Sequence, residues 1–155
     1  MSFTSDITRF SVFAKGVSLD TRREASIALF SAVIQDSPVG NPELWKSQQS
    51  KPIKDRKGPN GYTGGRFRAN WICTINHPAI GTVNSVKFDN VENMIQTIKT
   101  LSDDQPLFLA NNLPYAQTLE DGHSTQAPQG FVKRNVSRIQ SIMIQALREA
   151  RRKNS

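Results

Sequence analysis

The side chains able to do chemistry in this chain are few and poorly assembled. His77 and His123 are its two histidines and Cys73 its single cysteine. Cys73 stands four residues before His77, but one thiolate and one imidazole fall short of the ligand set of a structural zinc site. The densest titratable cluster is Glu120-Asp121 with His123, residue types that could in principle do acid and base work. Glu120 has a plainer use, because a carboxylate in a loop accepts backbone or arginine hydrogen bonds that hold the loop's shape. Gly58, Gly61, Gly64 and Gly65 do not make a phosphate-binding loop, since no Gly-Lys-Ser/Thr ends the run and no helix is expected after it. No nucleophile elbow is present. The residues therefore point to binding without catalysis, with no metal and no cofactor.

The elements that must position these residues follow from apolar periodicity. Ile7, Phe10, Phe13 and Ala14 predict a short helix over residues 4–15, opened by Ser5-Asp6 and closed by Gly16. A second helix is expected from Ser18 to Asp36, with Thr21 and Glu24 as a capping box and Ile27, Phe30, Val33 and Ile34 as its buried stripe. Pro38 ends it. Residues 40–65 are polar, basic and dense in Pro and Gly, which predicts a long loop or arm carrying Trp45, Ile53 and Tyr62 among its charges. Arg66 to Asn76 alternates apolar with polar residues and reads as a strand, with Cys73 on its core side as inert packing. A shorter strand is expected over Thr82 to Lys87. A helix carries Val91, Met94, Ile95, Ile98 and Leu101, capped by Asp89 and Glu92, and a returning strand spans Pro106 to Ala110. From Val132 a long amphipathic helix runs to the C-terminal arginines. The order predicts a single α+β domain over residues 1–155, a small, mostly antiparallel sheet packed against helices.

Between the last strand and the last helix lies Asn111 to Phe131, with prolines, glycines and amides but no apolar period. Irregular segments of this length inside a compact domain are usually functional. Leu113, Tyr115, Leu119 and Phe131 are anchors that a solvated tether would lack, so an ordered loop is expected. Pro114 and Pro128 restrict its backbone, Gly122 and Gly130 permit tight turns, and Asn111, Asn112 and Gln126 can satisfy buried backbone groups. Tyr115 offers a stiff contact surface with a polar tip, the kind of residue that anchors interfaces.

The run Asn111-Asn112-x-Pro114-Tyr115-Ala116-x-x-Leu119-Glu120-x-Gly122-x-Ser124-x-Gln126-Ala127-Pro128-x-Gly130 resembles the signature of the neck or tail-completion proteins of long-tailed bacteriophages with non-contractile tails. A second block, Pro38-Val39 followed by Thr63-Gly64, Arg66, Arg68 and Asn70-Trp71, is similar to that family's P-V-D-T-G-R-x-R-x-N-W run. Here residues 40–62 intervene and the family's Asp before Thr-Gly is missing. The resemblance implies a structural virion protein that forms a ring, a hexamer, at the head–tail junction. There it would terminate or complete the tail so that the head attaches. Implied partners are copies of itself, a head-side neck or head-closure protein, the major tail tube protein and DNA in the channel. Asn112, Pro114, Tyr115, Leu119, Glu120, Gln126 and Pro128, with Arg66, Arg68 and Trp71, are its expected subunit-interface residues.

Charge is unevenly placed. The net +7 divides into −1 over residues 1–45, +6 over 46–68, −4 over 69–129 and +6 over 130–155. Basic blocks flanking an acidic middle suit a self-assembling ring, in which a basic patch meets the next copy's acidic one. They suit equally a nucleic-acid-binding module, the rival reading, because clustered Lys and Arg displace counterions from phosphate. The expected partner contacts are Lys46, Lys51, Lys54, Arg56 and Lys57 in the arm and Arg148, Arg151, Arg152 and Lys153 at the last helix end. No run approaches the roughly twenty apolar residues that span a bilayer. With a lone cysteine, this leads to an expectation of assembly in a reducing cytoplasm; the resemblance implies that this is a host cytoplasm and that the protein resides in the virion.

Overall fold

The computed structural model describes residues 3–41, 49–55, 62 and 64–154. Lys46, Arg56 and Lys57, with Trp45, lie outside the described residues. The architecture is α+β: a two-stranded antiparallel sheet packed against helices. Its elements are α1 (Phe3–Asp36), α2 (Arg66–Ala69), β1 (Ile72–Ile75), α3 (Asn90–Lys99), β2 (Leu107–Ala110), α4 (Ala116–Thr118), α5 (Val132–Val136) and α6 (Ile139–Asn154). The strands pair Ile72 with Ala110 and Ile75 with Leu107.

Where two N-terminal helices were expected, the chain makes one. Glycine in a helix interior costs roughly 1 kcal/mol relative to Ala but does not oblige a break. Here it also makes room, because a Cβ on Gly16 would stand 3.2 Å from the Asn154 side chain at the end of α6. Helix α6 packs along α1 in antiparallel fashion, pairing Lys153 with Glu24 and Asn154 with Asp20 (2.9 Å). Thr21 consequently lies mid-helix and is no cap; its hydroxyl donates to the Val17 carbonyl at 2.6 Å.

The expected strand from Arg66 begins only at Ile72. Gly64 and Gly65 adopt φ of 105° and 100°, which bend the chain into the helical turn α2, and the Asn70 side chain closes that turn on the Arg66 carbonyl at 2.7 Å. Phe67, Ala69 and Trp71 are buried all the same. Phe67 and Trp71, four residues apart, can share one face of a helical turn as well as of a strand, and the positive φ at Gly64 and Gly65 decides for the turn. Thr82 to Lys87, expected as a strand, forms none and pairs with no strand among the described residues. The long C-terminal helix is divided at Ser137-Arg138, where the Ser137 hydroxyl donates to the Arg134 carbonyl at 2.7 Å and the Arg138 N–H to Asn135 O at 3.1 Å.

The core gathers Val33 and Ile34 of α1, Phe67, Trp71, Met94 and Ile98 of α3, and Leu113, Ala127 and Phe131. Phe67, Trp71 and Phe131 meet edge to face, with centroids 5.5 to 6.2 Å apart and interplanar angles of 72° to 81°, the arrangement that the ring quadrupole favours. Leu113, Ala127 and Phe131 come from the long irregular segment, so that loop is fastened to the core at both ends.

Candidate functional site

Segment 111–131 is an ordered loop whose shape is fixed from several sides. Glu120 is the main tie. Its Oε2 accepts the N–H groups of Phe131 and Val132 and its Oε1 that of Lys133, each at 2.9 Å. These N–H groups open α5, where intrahelical acceptors do not exist, so Glu120 caps a helix from eleven to thirteen residues upstream. Burial would raise its pKa, but the hydrogen bonds from Lys133, Phe131 and Val132 and the Lys133 charge outweigh it and hold the carboxyl below its ordinary range. Two glycines make the approach possible. Gly130 has φ 75° and a Cβ there would lie 2.7 Å from Glu120 Oε1; Gly122 has φ 92° and its Cβ would lie 2.5 Å from the Pro128 carbonyl.

The amides reach further. Asn111 donates to the Phe67 carbonyl at 2.9 Å, and Asn112 to those of Ala79 and Gly81 at 2.8 and 3.0 Å. Gln126 holds the backbone of Val39 at two points: its Oε1 accepts the N–H at 3.1 Å and its Nε2 donates to the carbonyl at 2.8 Å. One residue before Val39 stands Pro38, and before that Ser37, whose hydroxyl accepts from Trp71 Nε1 at 2.8 Å. Arg68 donates to the carbonyls of Gln35 and Ser37, both at 2.8 Å, a cation at the C-terminal end of α1. The segments that carry the family resemblance, far apart in sequence, thus meet around the end of α1.

Not all the expected interface residues are presented outward. Trp71 is buried, Arg68 is engaged by α1 and stacks over Phe88 at 5.5 Å, and Leu119 and Glu120 are half-buried. Asn112, Pro114, Tyr115, Gln126, Pro128 and Arg66 are exposed. Tyr115 is 40% exposed while the inner side of its ring lies 6.0 Å from that of Phe67. Ile80, between the two carbonyls that Asn112 holds, is 94% exposed.

Residues 79–88 make no backbone-to-backbone hydrogen bond with the described residues. Side chains hold the segment instead, Asn70 accepting the Val83 N–H at 2.8 Å and donating to its carbonyl at 2.9 Å. Val86 and Phe88 stay exposed along it. Sequence periodicity gave no sign of the Asn70 clamp, because a polar pair thirteen residues apart has no period.

The titratable cluster does not converge. Asp121 accepts from Gln117 at 3.0 Å and lies 3.9 Å from Lys133, and His123 Nδ1 stands 3.1 Å from the Thr118 carbonyl. Among the described residues no group of three or more His, Cys, Asp or Glu is placed to hold a metal ion. Cys73 is half-buried, and burial pushes its thiol up to about 11. It helps line a shallow pocket of about 250 Å³ with Trp71, Val83, Asn90 and Met94.

Of the basic residues, Lys51, Lys54, Arg148, Arg151, Arg152 and Lys153 are described and exposed. Arg152 pairs with Glu149 at 2.6 Å and Lys153 with Glu24. Among the described residues no helix is long and apolar enough to cross a membrane. Comparison with family models, with curated proteins and with solved structures finds no match for this chain.

Proposed function

We propose that this chain is a structural virion protein that forms a ring, a hexamer, at the head–tail junction of a long-tailed phage, terminating or completing the tail so that the head can attach. Its work is binding, with no bond made or broken. Its neighbours are copies of itself, the major tail tube protein on one side and a neck or head-closure protein on the other.

The observation that carries this reading is the stiffness of the resembling loop together with what it leaves outside. A heterologous ring closes only if each copy offers its neighbour the same fixed geometry. Glu120, Gln126, Asn111 and Asn112 immobilise the loop through bonds to backbone elsewhere in the chain, while Tyr115 stands out from it and Ile80 from the segment that Asn112 holds. A rigid amphipathic ring is a good anchor for a partner's pocket.

Purified protein examined by mass photometry and negative-stain microscopy is expected to show rings, alone or on added tail tubes. Tyr115→Ala, which leaves Glu120 in place, should abolish ring formation at temperatures where the monomer stays folded, with a modest fall in melting temperature from the lost packing on Phe67. A strictly monomeric wild type that ignores tubes and heads would remove the proposal.

A further inference from the structure

The outward face of the C-terminal helices carries a basic stripe that the chain itself neutralises only in part. Helix α6 buries Ala146 and Ala150 and half-buries Ile142. On the other side, at 3.6 residues per turn, Ser141, Gln145, Arg148 and Arg152 fall within an arc of roughly 60°. Arg138, at the start of the helix, lies about 21 Å from Arg152 along the axis. Lys133 and Arg134 extend the positive charge onto α5. Residues 130–155 hold seven Lys and Arg against the single acid Glu149.

Internal pairing is partial. Arg134 meets Asp36 at 2.8 Å, Lys133 approaches Asp121, and Arg152 and Lys153 pair with Glu149 and Glu24. Asp36 also lies within electrostatic reach of Arg138. The guanidinium groups of Arg138 and Arg148 are exposed and make no hydrogen bond or ion pair with the described residues. Arg138 stands between the C-terminal end of α5 and the N-terminal end of α6, whose first turn holds no acid.

We propose that this stripe binds the phosphate backbone of double-stranded DNA, with Arg138 and Arg148 as its main contacts. Arg138 and Arg148 lie about 15 Å apart along the axis, more than the roughly 12 Å width of a major groove, so the stripe can touch phosphates on both of its sides. Nothing on the face can read bases by stacking, because residues 132–154 contain no aromatic side chain. This sets it apart from single-strand surfaces, where bases stack on aromatic rings. Binding is therefore of duplex, through phosphate contacts that carry no sequence information of their own. The inference goes beyond ring formation and does not depend on it.

The test is fluorescence anisotropy of the full chain with short labelled duplexes of differing sequence, titrated between about 50 and 200 mM salt. Mass photometry runs alongside, so that loss of a ring and loss of DNA binding are read separately. Wild type should bind the duplexes alike, with affinity falling steeply as salt rises. The double variant R138Q/R148Q should flatten the logarithmic salt slope by about two, one per lost phosphate contact, with affinity falling at least about tenfold. R138K/R148K keeps both charges and should retain most of the slope, which guards against a folding artefact. Absence of binding at about 50 mM salt, or an unchanged slope in R138Q/R148Q, would overturn the proposal. So would loss of rings in that variant with DNA binding intact, which would assign the stripe to an acidic surface of another copy. Preference for single strands or for RNA duplex would overturn it as well.

Discussion

Replacing Glu120 is the sharpest perturbation of the candidate site, because one carboxylate serves three N–H groups at the start of α5. Hydrogen bonds to charged groups are worth about 1.5–3 kcal/mol each when well shielded, and helix caps about 0.5–2 kcal/mol. Glu120 is half-buried, so its bonds belong at or below the low end, and they act as a unit. Glu120→Ala should then destabilise by about 2–3 kcal/mol. Glu120→Gln should lose roughly half of that, since one amide oxygen remains to accept.

For a chain of this size each kcal/mol moves the midpoint by about 2–4 °C, so Glu120→Ala should melt about 4–12 °C lower. The pH dependence supplies a sign. The folded-state pKa is lowered relative to the ordinary 4.5, so the charged form is favoured by folding. The stabilisation is complete above that value and is lost as pH falls through the lower folded-state pKa. Urea denaturation of wild type and Glu120→Gln should show a gap at neutral pH that narrows in acid. Equal stabilities at pH 7, or a gap unchanged well below the carboxylate range, would refute the capping role.

Two further outcomes rest on the same geometry. Gly130→Ala would place a Cβ 2.6 Å from the Glu120 carbonyl oxygen and 2.7 Å from its carboxylate at φ 75°; it should cost at least as much as Glu120→Ala and still destabilise the Glu120→Ala variant, because the carbonyl clash and the positive φ remain, as denaturation of the single and double variants will show. Cys73, with its thiol pushed up to about 11, should react slowly with iodoacetamide near pH 7.5 in the folded protein and rapidly in denaturant, whereas fast native labelling would contradict its burial.

Much of this protein was legible as local pattern. The spacing of Met94, Ile95 and Ile98, the run from Pro106 to Ala110, and the apolar anchors Leu113 and Phe131 each announce an element or a fastening, because burial of one face leaves a period in the chain. Composition also suggested that Glu120 would hold a loop by accepting backbone hydrogen bonds, though nothing in the order of residues says which. Gly16 is read differently by sequence and structure for a definite reason. Its effect depends on the neighbour that approaches it, and that neighbour, Asn154, lies at the far end of the chain. Gly64 and Gly65 misled in the opposite sense, turning an alternating stretch into a helical turn through positive φ.

By itself, then, the sequence determined the α+β class, the sites of burial, the placement of positive charge and the loop that resembles a phage signature, all of which follow from properties carried by neighbouring residues. Tertiary structure decided which groups are left for a partner. Gln126 grips Val39 across 87 positions, and Arg68 and Trp71 turn inward onto Ser37. The antiparallel packing of α6 on α1 neutralises Lys153 through Glu24 and leaves Arg138 and Arg148 facing outward. Polar pairing at long range has no periodicity, so only the folded chain can show which side chains are already engaged.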